Sequence, residues 1–70
     1  MKSYLFVLTF AKNDSLQRES HEEKFECDAD AMMRAREILK EGKRDVSAFQ
    51  IDVHKFNSDQ VCWRHVVSYK

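Results

Sequence analysis

Proline is absent from the 70-residue chain, and glycine occurs once, at Gly42. That scarcity excludes Pro- or Gly-rich linkers and glycine loops that cradle phosphate, and predicts regular elements joined by short polar turns. Net charge is missing too, because twelve Lys and Arg balance twelve Asp and Glu. A protein held to nucleic acid by phosphate contacts carries a basic excess, so that class is disfavoured. Cysteine is limited to Cys27 and Cys62. Two cysteines make no secreted disulfide framework and predict reduced thiols in a cytoplasmic protein. The apolar run over residues 4–11 is too short to cross a bilayer, and only Lys2 precedes it, so neither a membrane span nor a signal peptide is expected.

What is present suffices for a core. Hydrophobic residues make up 43% of the chain, including five Phe, two Tyr and one Trp, which predicts a single folded domain over residues 1–70. Charge is unevenly spread. Between Glu19 and Asp30 six acids face one Lys, whereas between Arg34 and Arg44 five bases face two acids. Acids before a helix and bases toward its end match the helix dipole.

Residues 3–11 are apolar on both faces and rich in β-branched and aromatic side chains, as in a central strand. Residues 12–18 read as a turn built on Asn13, Asp14 and Ser15. From Glu19 to Cys27 the chain alternates, with Glu22, Lys24 and Glu26 on one side and His21, Glu23, Phe25 and Cys27 on the other. So many charges predict an edge strand that resists further pairing. A helix follows, with Asp28 expected as N-cap, Ala31, Met32, Ala35, Ile38 and Leu39 as its apolar stripe, and Gly42 as a left-handed stop. Met33 points away from that stripe, beside Arg34, where a helix-side contact would use it.

Residues 45–56 and 60–70 predict a hairpin around Asn57-Ser-Asp-Gln60, with Phe56 opposite Val61. In that register Phe49, Ile51, Val53, Lys55, Cys62, Arg64, Val66 and Ser68 share one face. Gln50 opposite Val67, Asp52 opposite His65, His54 opposite Trp63 and Ala48 opposite Tyr69 share the other. The expected fold is therefore α+β of ββαββ type: a four-stranded antiparallel sheet in the order 2-1-3-4, with one helix packed on one face. The second face would collect Trp63, His54, His65, Val67, Tyr69 and one side of the first strand, an apolar and aromatic patch of the kind that partners cover.

Chemistry is harder to assemble. Cys62 and His65 lie three apart on a strand and point to opposite faces, so they share no metal ion. Asp52 and His65 would be an orienter and a base, but Cys62 and Ser68 are expected on the other face and no nucleophile follows. The sequence thus predicts no enzyme, no metal and no cofactor. An open sheet bearing Trp63, Tyr69 and His54 is able to stack bases, yet Asp52 shares that face and repels phosphate.

The order of elements, with Asp28-Ala-Asp-Ala-Met-Met-Arg-Ala-Arg-Glu-Ile-Leu-Lys between apolar strands, resembles small phage-encoded anti-CRISPR proteins that block host defences. Residues 6–15, Phe-Val-Leu-Thr-Phe-Ala-Lys-Asn-Asp-Ser, are similar to the opening of a phage antitoxin that silences a host ribonuclease toxin. The resemblance implies a stoichiometric inhibitor that occupies a surface of a larger complex. Its expected contacts are Glu19, Glu22, Glu23, Glu26, His54, Trp63, His65, Tyr69, Met33 and Arg34. Two other readings remain open. One is a nucleic-acid-binding accessory module that uses the sheet aromatics and the bases at the helix end. The other is a homodimer formed through the fourth strand or the open sheet face.

Overall fold

The computed structural model describes residues 1–46 and 48–70, the side chain of residue 45 excepted. The strands are β1 (Lys2–Lys12), β2 (Ser15–Phe25), β3 (Phe49–Asn57) and β4 (Cys62–Tyr69), with the helix α1 (Asp28–Asp45) between the two hairpins. They form one antiparallel sheet in the order β2-β1-β3-β4. This is the expected ββαββ arrangement, with the apolar β1 in the interior and the charged β2 at an edge.

Alternation along β1 sends Tyr4 and Phe6 under the helix, where both are fully buried with Ile51 and Val53 of β3 and Ala31 and Ala35 of α1. Leu8, Phe25, Ile38, Leu39, Val66, Val67 and Tyr69 pack around these six. Two alanines in the helix stripe let its backbone approach the sheet closely, so large side chains from β1 and β3 fill the space. The phenol of Tyr4 donates a 2.5 Å hydrogen bond to Oδ1 of Asp28, which also holds Nζ of Lys55 at 3.2 Å.

Four local expectations are corrected. The first turn is shorter than predicted: Asn13 and Asp14, at φ 52° and 63°, form a two-residue connection, and Lys12 pairs with Ser15. Two consecutive left-handed residues match the twist of the flanking strands, so β2 begins at Ser15 and not at Glu19. Cys27, in extended conformation, is the N-cap and supplies no side-chain cap. Asp28 instead lies in the first turn, its carboxylate drawn to Tyr4 and Lys55. The helix also continues through Gly42 to Asp45, so β3 begins at Phe49 and not at residue 45. Ser47, within the predicted strand, lies outside the described residues.

Gly42 has no positive φ, so it is no left-handed stop. A Cβ there would lie 2.5 to 2.8 Å from three ring carbons of Phe49. That ring is stacked on Phe10, with centroids 5.7 Å apart and planes at 15°, and has little freedom to retreat. Ala within a helix gains about 1 kcal/mol over Gly, but overpacking costs about 1–3 kcal/mol. Gly42→Ala is therefore expected to lower stability in urea denaturation. In a Phe49→Ala background the same change should raise it. A stabilising Gly42→Ala in the parent protein would show that the ring moves freely.

The fourth correction is the register of the second hairpin. Asn57 Oδ1 accepts the backbone N–H groups of Asp59 and Gln60 at 3.0 and 3.2 Å. This fold-back makes Asn57 the last residue of β3, opposite Cys62, and leaves Val61 in the turn at φ 49°. His54 thus faces His65 and Phe56 faces Trp63, while Lys55 faces Arg64. The slide amounts to two residues, and so keeps each side chain near the turn on its expected face. Farther along, a bulge between Val53 and His54 leaves Val66 as the extra residue of β4. Val67 and Tyr69 consequently turn to the helix side, opposite Val53 and Ile51, and Ser68 turns to the open side, opposite Asp52. Cys62, expected under the helix, is exposed.

Candidate protein-docking face

One helix covers one face of the sheet. The other face is read across the strands from the pairing: Lys24–Ser3 beside Phe56–Trp63, Glu22–Leu5–His54–His65, Ser20–Val7–Asp52–Ser68, and Arg18–Thr9–Gln50. Leu5, Val7 and Phe56 are half-buried, Trp63 is 37% exposed and Leu16, at the far end beside Ala11, is 76% exposed. The indole of Trp63 meets the Phe56 ring edge-on with centroids 5.2 Å apart. A pair locked in this way presents a rigid aromatic surface with little rotamer entropy left to lose on docking.

Polar groups on this face form a connected network. The Ser68 hydroxyl donates to Asp52 Oδ1, and Ser68 Oγ lies 2.7 Å from Nε2 of His65. Gln50 donates its amide to the same Asp52 oxygen at 3.1 Å. The imidazoles of His54 and His65 stand edge to face, 5.5 Å apart. The serine hydrogen bond, helped by that from Gln50 and by the nearby histidines, holds the Asp52 carboxyl below its ordinary range.

This arrangement corrects the expected placement of Ser68, which shares a face with Asp52 and His65, but it does not build a nucleophile. A hydroxyl has one proton, and Ser68 gives it to Asp52. The contact to His65 must then be donated by Nε2–H, so this imidazole nitrogen is no base toward the serine. In a nucleophilic triad the imidazole sits between hydroxyl and carboxylate; here the hydroxyl sits between the other two. Among the described residues no group of three or more His, Cys, Asp and Glu side chains is placed to hold a metal ion.

The ten residues expected at a partner interface divide between two surfaces. His54, Trp63, His65 and Glu22 share the open face. Glu19 and Glu23 lie on the helix side of β2, opposite Leu8 and Tyr4, and Glu26 follows the strand end. Glu23 is committed to Nε of Arg34 at 3.2 Å, and Arg34 also reaches Glu37 at 3.4 Å. Burial works against the Arg34 charge, but these two carboxylates outweigh it and raise its pKa. Met33, 58% exposed, sits on α1 on the far side of the domain. Tyr69 is a correction: the bulge removes it from the open face and packs it at the core margin, with the Arg36 guanidinium 5.6 Å from its ring centre.

Sequence reasoning passed over Phe56 and Ser68 as members of the open face. Phe56 was legible, since it alternates with His54 along β3. Ser68 was not, because only the bulge turns it over. No helix among the described residues is long and apolar enough to cross a membrane. Comparison with known protein families, curated proteins and solved structures found no match to this chain.

Proposed function

We propose that the domain is a stoichiometric protein-binding inhibitor or adaptor whose working surface is the open sheet face. The observation that carries this reading is the half-exposed strip of Leu5, Val7, Phe56 and Trp63 on a face that no element among the described residues covers. Aromatic anchors ringed by satisfied polar groups are how protein interfaces concentrate their affinity. The charge on this face is mixed, which suits a protein better than a phosphate backbone. The resemblance to phage anti-defence proteins favours a larger nucleic-acid-handling complex as target and the cytoplasm as setting. Lys and Arg that hold phosphates in such a partner would meet Glu22 at the rim and Glu26 just beyond β2.

Binding of the purified domain to candidate nucleic-acid-handling complexes tests the proposal. Trp63→Ala should weaken capture about ten-fold or more, the usual cost of losing an aromatic anchor. Glu22→Lys with Glu26→Lys should slow association, more at low salt than at high salt. If polyanionic resin retains the domain with a steep salt dependence, and reversal of Arg34 and Lys40 abolishes binding while Trp63→Ala does nothing, a nucleic-acid-binding role replaces the protein-binding one.

A further inference from the structure

We infer that a cleft beside the second hairpin turn binds a phosphoryl dianion, held by Lys2, Lys55 and Arg64. The cleft measures about 390 Å³ and is lined by these three side chains with Phe56, Asn57 and Ser58; among the described residues no acid lines it. Its cations stand on the helix side of the sheet, and Phe56 is the one residue it shares with the strip proposed for docking. The inference does not depend on that docking.

Register brings the three cations together. The alternation that buries Tyr4 and Val53 under the helix sends Lys2 and Lys55 to the same side of the sheet. The pairing of the second hairpin then sets Arg64 directly opposite Lys55. Like charges placed in this way destabilise a sheet. One acid answers them: Oδ1 of Asp28 lies 3.2 Å from Nζ of Lys55. Among the described residues neither Lys2 nor Arg64 forms an ion pair. Three cations against one acid leave two positive charges at this end of a chain whose net charge is zero.

That excess selects the ligand. A single carboxylate carries one negative charge and leaves one cation unanswered. A phosphoryl group carries about 1.5–2 negative charges near pH 7 and three acceptor oxygens, which match the surplus. Arg64 offers a planar fork of donors to two of those oxygens, and the lysines act as point charges. Asn57 adds neutral donors. Its Oδ1 is taken by the backbone N–H groups of Asp59 and Gln60, which leaves its amide N–H groups unused by the turn. Ser58, exposed in the same turn, carries a hydroxyl. These side chains stand in for the glycine loop that the chain lacks. Asp28, engaged by Tyr4 and Lys55, repels the anion from the inner end, so the phosphoryl group sits toward Lys2 and Arg64.

Titration calorimetry of the full chain with inorganic phosphate, at constant ionic strength, tests the inference. One site with a Kd of about 0.1–1 mM is expected, the range of a few partly solvated charge-assisted contacts. At ten times that Kd the melting temperature should rise by about 6–11 °C over chloride. Arg64→Gln should weaken binding about ten-fold, Arg64→Lys by less, and Lys40→Gln on the exposed helix face not at all. In phosphate-free buffer Arg64→Glu, which sets opposite charges across the hairpin, should raise the urea midpoint while abolishing binding. Adenosine monophosphate separates the sources of the group: tighter binding than inorganic phosphate assigns a nucleotide, and equal or weaker binding assigns the free ion. Neither heat nor a melting shift with either ligand up to about 10 mM overturns the inference. So does an Arg64→Gln variant that binds as the parent does, or an Arg64→Glu variant with a lower urea midpoint, since the cations would then not repel. A glutamate-rich peptide that binds more tightly than both ligands replaces the phosphoryl group with an acidic protein segment.

Discussion

Phe6→Ala is expected to remove about 3–5 kcal/mol of stability, the cost of deleting a buried aromatic side chain and leaving a cavity. Phe6 is fully buried at the centre of β1, opposite Val53, with the rings of Phe25 and His21 at 6.1 and 6.3 Å. A thin core makes this loss severe. Among the described residues only six hydrophobic ones are fully buried, and one helix on one sheet leaves no second layer there able to collapse into the gap. Domains of this size hold a net stability of about 5–15 kcal/mol, the smallest near the lower limit, so the variant should be partly unfolded at room temperature. Thermal melting should show a fall of about 12–40 °C, since each kcal/mol shifts a domain of 60–100 residues by about 4–8 °C. A change of only a few degrees would mean that the helix is not seated over Phe6. As a control, Leu16→Ala on the exposed end of β2 should fall within about 0.5 kcal/mol of the parent.

Asp28→Ala should cost about 2 kcal/mol, more than Tyr4→Phe, although the two residues share one hydrogen bond. Tyr4 is fully buried, so its hydroxyl depends on the Asp28 carboxylate for an acceptor. Removing the acceptor strands a buried donor, at about 1–3 kcal/mol, whereas removing the donor leaves a carboxylate that Lys55 and water still satisfy. A double-mutant cycle should therefore return a coupling close to the smaller of the two single costs. The two variants also separate by pH. The Tyr4 hydrogen bond, with Lys55 assisting, holds the Asp28 carboxyl below its ordinary range. A depressed folded pKa gives stability that is full above the unfolded value of about 4 and is lost as pH falls through the lower folded value. Asp28→Ala should flatten that part of the acid limb, and Asp52, held down chiefly by Ser68, should supply what slope remains. Burial, reinforced by the bond to Asp28, raises the Tyr4 phenol above its ordinary range. A raised folded pKa means stability falls as pH climbs past about 10, where the unfolded phenol ionises first. Tyr4→Phe should abolish that alkaline decline. Urea midpoints measured across pH decide both limbs, and an acid limb identical in parent and Asp28→Ala protein would show that the carboxylate is not engaged.

Much of this architecture was legible because period and composition act locally. Residues apolar on both faces make β1 a central strand wherever its partners lie, since each face must be buried against something. The Ala31, Ala35, Ile38 and Leu39 stripe identifies the helix and the side it buries, and the charges of β2 send it to an edge. Strand alternation likewise assigns Trp63, His54 and His65 to one face, an assignment unchanged when the strand slides by two residues.

Local pattern therefore specifies the set of elements, their order in the sheet, and the side chains of the uncovered face near the second turn. How far each element runs, and how the second hairpin is aligned, depends on packing between elements. Asn13 and Asp14 close in two residues because the twist of the paired strands selects left-handed turn geometry, and Asn57 moves the second turn by folding back on Asp59 and Gln60. Gly42 reads locally as a helix stop, yet it is placed by a ring seven residues away that occupies the space of its missing Cβ. The bulge at Val66 exchanges Tyr69 and Val67 for Ser68 on the open face because the core gains more from an aromatic and a valine than from a hydroxyl. Periodicity is a property of one strand, whereas register and bulges minimise the free energy of several strands and a helix together.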